Sequence, residues 1–354
     1  MGTAIVYASR EDVKRAASSL STAYDDARLD RALAAATRTV EGDLHRIFYP
    51  LHATRYFRWP PSSPSRSWRL WLGQSEVISV DTITVNNGAT TISANDYFLE
   101  PSDLGPPYDN IEIDLSSSAS FSSSTSSQRA IAVTGTFSGD PGVDDAAGLL
   151  GAGVNASATA WATSDGSQLG AGSWLLCGTE YVIVTAVAMT TTATTLGGTG
   201  LASSAAAVTL TVTDGTLYHV GEILLIGAER LLVLGTTATT VIVKRAFDGT
   251  VLAAHSNGDT IYALRSLTVQ RGSFGSTAAS HSTSDSLTVH RPPSLVQEYA
   301  IALAQAQVGA GLSGYATSTR GGESANTGRG GSVELADLAA RAKSAHGRLR
   351  VGAV

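Results

Sequence analysis

The chain has 354 residues, of which 43% are hydrophobic and 15% charged, with 36 glycines and one cysteine. This length suits two or three domains with ample apolar residues for a core, and a single cysteine excludes an intramolecular disulfide framework. The low charged fraction and the many glycines favour short strands joined by turns over long surface helices. We therefore expect the middle of the chain to be mostly β.

The net charge of −6 is unevenly distributed along the chain. Residues 1–71 carry 11 Lys or Arg against 7 Asp or Glu, residues 72–314 carry 7 against 20, and residues 315–354 carry 6 against 3. Because phosphate contacts need Lys and Arg, the acidic middle argues against a DNA-clamping surface there. Acidic walls suit a protein past which DNA slides without sticking.

The N-terminal sequence does not predict export or membrane anchoring. It has no basic segment followed by an apolar one, as a secretory signal requires, and Gly2 lacks the Ser or Thr of a myristoylation signal. The most apolar stretch, residues 181–189, is too short to span a bilayer. We expect a soluble protein made in a cytoplasm.

Two helices are predicted near the N-terminus. Ser9, with Asp12 three residues later, is typical of a capping box that starts a short helix. A longer helix follows, because apolar residues recur at steps of three or four from Leu29 to Ile47, and Pro50 marks its end.

The residues after Pro50 predict strands. The aromatic and arginine residues of Arg55–Trp59 offer stacking surfaces for nucleic-acid bases, but we favour a strand whose amphipathic side chains pack on the helical core. Asn87-Gly88 predicts a type I′ hairpin, and further strands are expected up to Phe137. The serine tract at residues 116–127 predicts a flexible loop.

Residues from about 140 to 290 contain an internal repeat. A first set of positions recurs 49 residues later, and a second set recurs at an offset of 26. The first set is Asp165-Gly166, Gly172, Leu175, Gly178 and Glu180, and the second is Val243, Arg245, Gly249, Ala253, His255 and Asp259. Repeated β units of this size bury a shared core only by stacking together. We therefore expect one compact β domain of tandem origin.

The C-terminal part predicts helices again. Helical periodicity resumes after Pro292-Pro293 and runs to Leu312. The glycines between Gly309 and Gly331 predict a hinge or an arm. Ser332 is the predicted N-cap of a last helix, with acidic residues in its early turns, basic residues late and Gly347 after its end.

No group of residues predicts catalysis, a cofactor or a metal. His255 and His281 each precede an Asp by four residues, but they lack the further ligands that a zinc site needs, and we interpret them as turn-structuring residues. The sequence has no G-x-S-x-G elbow, no P-loop and no acid pair in a recognisable context. We predict that the protein is not an enzyme, has no cofactor and binds no metal.

The order of the elements resembles that of the head-to-tail adaptor (connector, or head-completion) proteins of long-tailed double-stranded DNA bacteriophages. The resemblance covers residues 4–139 and 289–354 and depends on four features in sequence. These are a helix ending in Phe48-Tyr49-Pro50, the stretch Tyr97–Pro101, the strand Val133–Phe137, and a helix led by Pro292-Pro293. The family usually has only a short turn where this chain carries its β block.

The resemblance implies an α+β fold with a small helical bundle core, a β-rich segment and a large inserted all-β domain. The corresponding boundaries are 1–56 for the first part of the helical core, 57–139 for the β-rich segment, 140–290 for the inserted β domain, 291–313 for a core helix, and 314–354 for a flexible arm and C-terminal helix. The β insert would be a decorating or docking domain on the outside of the assembly.

The function implied by the resemblance is structural. The protein would form a twelve-membered ring in the virion neck, between the portal and a stopper or tail-completion protein, and DNA would pass through its lumen without sequence-specific binding. The C-terminal arm, from about Gly314, would embrace the portal. From position and charge, the predicted contacts are Arg320, Arg329, Arg341, Lys343, Arg348 and Arg350. A basic arm needs an acidic partner surface.

The alternative is a virion-surface module that binds the host or a carbohydrate through the β insert, with the helical part as its mount. Exposed aromatic residues on the insert would favour this function, and the candidates are Trp161, Trp174, Tyr181, Tyr218 and Tyr262. The repeat aligns Trp174 with Ile223, which indicates that this tryptophan lies in the core. A third possibility, a cell-wall enzyme, lacks the acid pair that glycoside hydrolysis needs.

Overall fold

The computed structural model describes residues 4–17, 25–60, 66–313 and 327–348. The chain divides into two compact units. The larger unit comprises Met1–Val40, Asp144–Ser273 and Thr277–Ala342, and the smaller unit comprises Glu41–Val143, Phe274–Ser276 and Lys343–Val354.

The predicted fold class, an α+β fold with a small helical bundle core, is wrong, although the large all-β domain that was also predicted partly fits. The protein is mostly β, with 36% of its residues in strands and 23% in helices. The described residues form four helices, which are α1 (Arg10–Ala16), α2 (Asp26–Leu44), α3 (Ser294–Ser313) and α4 (Thr327–His346). The strands bury apolar cores of their own, so they do not depend on a helical bundle for burial. Within the described ranges, no helix is long and apolar enough to cross a membrane.

The smaller unit contains two antiparallel sheets that share one core. The four-stranded sheet has the order β1-β7-β3-β4 and the three-stranded sheet the order β2-β6-β5. The strands are β1 (Leu51–Phe57), β2 (Arg69–Trp71), β3 (Val77–Val85), β4 (Thr90–Ile92), β5 (Tyr97–Glu100), β6 (Asn110–Ile113) and β7 (Ile131–Phe137). Val77, Ile83, Ile111 and Ile131 are completely buried between them.

Strand β1 contains the aromatic and arginine residues singled out above. Its side chains alternate between the two faces, so Phe57 packs on the core of the smaller unit while Tyr56 is exposed. The guanidinium carbon of Arg129 lies 4.9 Å from the centroid of the Tyr56 ring. The strand prediction is confirmed, but the prediction that these residues pack on a helical core is wrong, because the two sheets supply the core here.

The hairpin predicted at Asn87-Gly88 is confirmed, with a longer turn than expected. Strands β3 and β4 pair antiparallel, and Asn86 and Asn87 adopt left-handed φ values of 56° and 58°. The side-chain amide oxygen of Asn87 accepts a hydrogen bond from the backbone N–H of Ser124 at 3.2 Å. Phe121, also in the serine tract, is buried beside Trp59, with ring centroids 5.1 Å apart. The serine tract is therefore packed onto the smaller unit.

The helix predictions are confirmed at the starts of α1 and α3 and wrong at the end of α2 and the start of α4. Ser9 and Asp12 form the predicted capping box, with reciprocal bonds of 2.9 and 3.1 Å. Helix α2 ends at Leu44, three residues before the predicted Ile47, and α3 follows Pro293 directly. Helix α4 begins at Thr327, so Ser332 lies inside the helix and is not its N-cap. Most of the predicted hinge, residues 314–326, lies outside the described residues.

The larger unit is built on a ten-stranded sheet. Nine strands follow the order β12-β15-β14-β13-β16-β11-β10-β17-β8, and β9 also pairs with β16. Its strands are β8 (Val143–Leu149), β9 (Ala160–Ala162), β10 (Trp174–Cys177), β11 (Glu180–Thr195), β12 (Thr209–Thr211), β13 (Ile223–Ile226), β14 (Glu229–Thr236), β15 (Thr240–Lys244), β16 (Thr260–Gln270) and β17 (Ser286–Arg291). β11 and β16 are the longest strands, and they run side by side through the middle of the sheet.

This sheet contains the same five-stranded arrangement twice. Copy 1 has the order β9, residues 266–270 of β16, residues 180–187 of β11, β10 and β17. Copy 2 has the order β12, β15, β14, β13 and residues 260–265 of β16. The two copies therefore use different halves of the same strand, β16.

The pairing registers of the two copies correspond residue by residue. Leu175 pairs with Val289 in copy 1. Leu224 lies 49 residues after Leu175, and Ala263 lies 26 residues before Val289. Leu224 and Ala263 pair in copy 2. A register shift also recurs. It lies between Val184 and Ala186 where β11 pairs with β16, and between Val233 and Gly235, 49 residues later, where β14 pairs with β15. The two sequence offsets are thus the two halves of one repeated β arrangement.

Copy 2 is nested inside copy 1. In copy 2, β14 and β15 are joined by the short turn of residues 237–239. At the equivalent place, between β11 and β16, copy 1 carries residues 188–265, which include all strands of copy 2. The expected tandem order is therefore wrong, although the repeat itself is present.

Candidate functional site: two buried carboxylate clusters and the C-terminal basic helix

Each copy of the repeat buries one glutamate at the start of a strand. Glu180 begins β11 and Glu229 begins β14, and both are fully buried. The glutamates follow tight hairpin turns in which Gly178 and Gly227 have φ values of 59° and 58°, a conformation that glycine adopts without strain. The same turn therefore directs a carboxylate into the interior of each copy.

In copy 1 the carboxylate of Glu180 is surrounded by donors. Arg271 binds both of its oxygens, at 2.8 Å from Nε and 2.8 Å from Nη2. His281 Nε2 lies 2.9 Å from Oε2. The backbone N–H groups of Gly272 and Ala279 each donate at 3.0 Å. All five contacts bring residues that follow β16 onto the start of β11.

Copy 2 repeats this arrangement around Glu229. Arg245 binds the two carboxylate oxygens at 2.7 Å each, and His255 Nε2 lies 2.9 Å from Oε2. The backbone N–H groups of Ala246 and Ala253 donate at 2.9 and 3.1 Å. The two glutamates are 49 residues apart in the sequence, whereas the two arginines, like the two histidines, are 26 residues apart. In each folded copy, residues from both repeated sets contact one another.

The arginines extend each cluster to a further loop. Arg271 donates to the carbonyl oxygens of Asn155 and Ala158 at 2.7 and 2.9 Å, just before β9. Arg245 makes the matching contacts before β12, to Ala202 and Ala207 at 3.1 and 2.9 Å. Buried charges that are paired and fully hydrogen-bonded fix the loops that supply their partners. We interpret both clusters as structural braces between distant segments.

The pKa values of both glutamates are depressed. Burial alone raises the pKa of Glu180, but the bonds from Arg271, His281 and two backbone N–H groups more than offset this and lower it to about 2. The same balance, with Arg245 as the main favourable partner, lowers the pKa of Glu229 to about 2. Both carboxylates are therefore ionised in the folded protein down to strongly acidic pH.

We expect the stability of the larger unit to fall as the pH drops from 4.5, the ordinary glutamate value, towards 2. The folded-state pKa lies below the unfolded one, so this stabilisation is fully present above the unfolded value and is lost as the pH falls through the folded value. Urea unfolding at about pH 6, 4 and 3 measures it. The exposed Asp337→Asn variant should keep the same pH dependence. A midpoint that stays constant down to about pH 3 contradicts this prediction.

Within the described residues, two groups of side chains bring three possible metal ligands together. The ligand atoms of each group lie within 4.8 Å of one another, and the groups are Cys177, His281 and Asp285, and Asp165, His219 and Glu222. In the second group, Glu222 already binds Arg265 through both carboxylate oxygens, at 2.6 and 2.9 Å. The arginine charge opposes a cation there. In the first group, the nearby arginine, Arg271, binds both carboxylate oxygens of Glu180, which is not one of the three possible ligands.

Sequence reasoning identified the glutamates, arginines and histidines as repeated positions but did not bring them together. The two offsets were interpreted as separate repeats, so Glu180 was never paired with Arg271. Assigning both offsets to one β arrangement would have predicted the clusters. Cys177 was missed as a neighbour of His281 for the same reason.

The predicted portal contacts lie at the C-terminal end of the chain, and the structure describes some of them. Arg320 and Arg350 lie outside the described residues, and the backbone of Arg329 lies in the first turn of α4. The side chain of Arg341 is 61% exposed and forms an ion pair with Asp337 at 3.3 Å.

The remaining two predicted contacts differ from each other. Lys343 is exposed on α4. Arg348 belongs to the smaller unit, where its backbone N–H donates to the carbonyl of Leu44 at 2.9 Å and its Nη1 lies 3.4 Å from Glu76. Arg341 and Lys343 are therefore the described residues of this set whose charges face solvent, and Arg348 also has a role in the fold.

The aromatic residues suggested for carbohydrate binding are mostly enclosed. Trp161, Trp174 and Tyr218 are buried, and Tyr181 is half-buried. Tyr262 is 38% exposed. Stacking on a sugar needs an accessible aromatic face, and of these five residues Tyr262 is the most exposed. The carbohydrate-binding alternative therefore has the support of Tyr262 but not of the three buried candidates.

Comparison of the chain with protein-family models, curated proteins and solved structures finds no match. The features that bear on function are the clustering of helices from the two ends of the chain, the braced β block and the exposed basic residues of α4. The basic residues of α4 were expected from the sequence, and the braces were not.

Proposed function

We propose that this protein is a structural subunit of a bacteriophage virion, a head-to-tail adaptor that forms a ring between the portal and the tail-side neck proteins. In this proposal the nested β block makes up much of the subunit, and helices α1, α2 and α3 form one apolar cluster within the same unit. DNA passes through the ring without being bound at specific bases. The observation that carries the proposal is the packing of the helices before and after the β block into one cluster.

That cluster lies in the larger unit. Val13 of α1, Leu29 and Leu33 of α2, and Ala304 and Val308 of α3 share one apolar core and are almost completely buried. Helices that precede and follow the long β block therefore meet in one apolar core. The shared core of α1, α2 and α3 supports the resemblance to adaptors, which depends on helices before and after the β block.

Polar contacts hold the same helices together. Arg28 of α2 donates to the carbonyl oxygen of Val308 near the end of α3, at 2.9 Å. Arg10 of α1 forms ion pairs with Asp26 and Asp30 of α2 at 2.9 and 2.7 Å. The helical cluster is therefore fixed by charged contacts as well as by burial, as expected of a mount for a large β block.

The charge distribution supports passage of DNA more than binding of DNA. Residues 72–314 carry 20 acidic against 7 basic side chains, so phosphate groups are repelled by most of the β structure. The basic residues of the C-terminal part would contact an acidic surface of the portal. Electrostatic complementarity of this kind sets partner choice and association rate.

We expect the double variant Arg341→Glu and Lys343→Glu to fold normally and to bind the portal at least about tenfold more weakly. Both side chains are exposed, so reversing their charges removes attraction to the partner without disturbing a core. Binding to immobilised portal, at low and at moderate salt, measures the change. The tail-side partner is not involved in this measurement.

The matched control is the double variant Arg31→Glu and Arg58→Glu, which reverses two exposed charges outside α4. It changes the net charge by the same amount, so it corrects for long-range effects. If the α4 variant binds as tightly as the control, the C-terminal helix is not the portal contact. In that case the helical cluster remains as described, and another face must bind the portal.

A further inference from the structure

The two copies of the repeat differ in one possible metal ligand beside the buried cluster. Cys177 in copy 1 is replaced by Ile226 in copy 2, and both side chains are fully buried. The histidine and the following aspartate are the same in both copies. His281 Nδ1 lies 3.9 Å from Asp285 Oδ2, and His255 Nδ1 lies 3.9 Å from Asp259 Oδ2. The chain thus contains one version of the site with a thiol and one without.

His281 is positioned as a metal ligand requires. Its Nε2 lies 2.9 Å from Glu180 Oε2, and because a carboxylate oxygen accepts hydrogen bonds, this contact occupies Nε2 and leaves Nδ1, 3.9 Å from Asp285 Oδ2, for another partner. The other nitrogen, Nδ1, is too far from Asp285 for a hydrogen bond, and the side chain is only 7% exposed. Metal-bound histidines commonly donate their second nitrogen to a carboxylate, which orients the ring and fixes the tautomer.

The three ligand atoms are close enough to share one ion after a small contraction. Cys177 Sγ, His281 Nδ1 and a carboxylate oxygen of Asp285 lie within 4.8 Å of one another. Ligands of a tetrahedral zinc ion, at about 2.0 to 2.3 Å from it, lie about 3.3 to 3.8 Å apart. Asp285 is 44% exposed and lies in a turn, so it can move towards the others. Its exposure also leaves an entry path and a fourth position for water.

We propose that Cys177, His281 and Asp285 form a zinc site in copy 1, and that copy 2, which has Ile226 in place of the thiol, does not bind zinc. Thiolate together with imidazole and carboxylate selects zinc over magnesium or calcium, which prefer oxygen ligands alone. The Glu–Arg–His brace is common to both copies and does not depend on the ion. Zinc adds a further link between β10 and the turn before β17 in copy 1.

The test is the zinc content of the purified, untagged full chain after exposure to zinc and removal of the excess. We expect one zinc per chain for the wild type and none for Cys177→Ile, which copies the residue of copy 2 and so preserves core packing. Cobalt used in place of zinc should give a thiolate-to-metal absorption band with the wild type that Cys177→Ile lacks. A wild-type chain that retains no zinc, or a Cys177→Ile chain that retains as much as the wild type, overturns the proposal.

The nested copies also provide matched controls for the carboxylate ligand. Asp285→Asn should weaken zinc binding at least tenfold, whereas Asp259→Asn in copy 2 should leave it unchanged. Asparagine keeps an oxygen that can accept the turn hydrogen bond from Ser282 or Ser256, so both variants should fold. Equal zinc affinities for the two variants would show that Asp285 is not a ligand and would contradict the proposed site.

Discussion

Replacing Glu229 with glutamine is expected to lower the free energy of unfolding by about 3 to 5 kcal/mol. Glutamine has nearly the same shape but no charge, so it leaves the guanidinium of Arg245, whose side chain is 2% exposed, buried without a counter-charge. The backbone N–H groups of Ala246 and Ala253 now donate hydrogen bonds to the carboxylate, and the NH₂ group of glutamine could not accept them. Urea unfolding followed by circular dichroism measures the loss.

The equivalent replacement in copy 1, Glu180→Gln, should have an effect of similar size. Arg271 makes the same two-pronged contact with Glu180, and its side chain is 7% exposed. Asp337→Asn is the control, because Asp337 is 68% exposed and its ion pair with Arg341 should contribute less than about 1 kcal/mol. A loss below about 1 kcal/mol in both glutamine variants would show that the clusters are not structural braces.

Replacing Arg15 with methionine is expected to cost about 3 to 5 kcal/mol. Arg15 extends from α1 into the β block, where its guanidinium donates to three carbonyl oxygens. The distances are 2.9 Å to Gly221, 2.9 Å to Leu169 and 3.2 Å to Gly166. Methionine preserves much of the side-chain volume but leaves these acceptors without their donor. Because the acceptors precede both β10 and β13, the variant loosens α1 from both copies of the repeat.

Arg31→Met is the control for this prediction, since Arg31 is exposed on α2 and its loss should change stability by less than about 0.5 kcal/mol. Urea unfolding compares the two variants with the wild type. Limited proteolysis gives a second measurement, because a loosened α1 would be cleaved sooner. An Arg15→Met protein as stable as the Arg31→Met protein would contradict the assignment of Arg15 as the link between α1 and the β block.

Local features of the fold were predictable from the sequence because they depend on residues close together in the chain. The capping box of Ser9 and Asp12 needs only two residues spaced three apart, and the hairpin at Asn87 needs only residues that tolerate positive φ. The repeat was visible for a similar reason, since two aligned segments keep glycines and apolar residues at fixed spacings. The physical cause of each pattern lies within the short segment that shows it.

The fold class was not predictable in the same way. The strands between Leu51 and Phe137 were expected, but their partner was taken to be a helical bundle, whereas they bury residues such as Ile83 and Ile131 against one another. Which surfaces meet depends on pairing over long sequence distances, which the residues of a single segment do not determine. The start of α4 at Thr327 is a related case, because Ser332 has the chemistry of a cap yet lies within the helix.

The carboxylate clusters show why part of the candidate site was missed. Glu180 and Arg271 are 91 residues apart in the sequence because copy 2 is nested between the two halves of copy 1, and the pairing of β11 with β16 brings them together. A linear comparison finds the two offsets but does not show that they belong to one sheet. The strand registers supply that information. The exposed basic residues Arg341 and Lys343 needed no such information, since their position on a charged helix was evident from the sequence.

The most direct test of the account is the mass and shape of the purified protein, alone and mixed with the portal protein of the same virus, by native mass spectrometry and negative-stain imaging. The proposed function predicts a monomer that becomes a twelve-fold ring only on the portal, with the β block carried by each subunit. A stable small oligomer that does not associate with the portal would contradict the adaptor function.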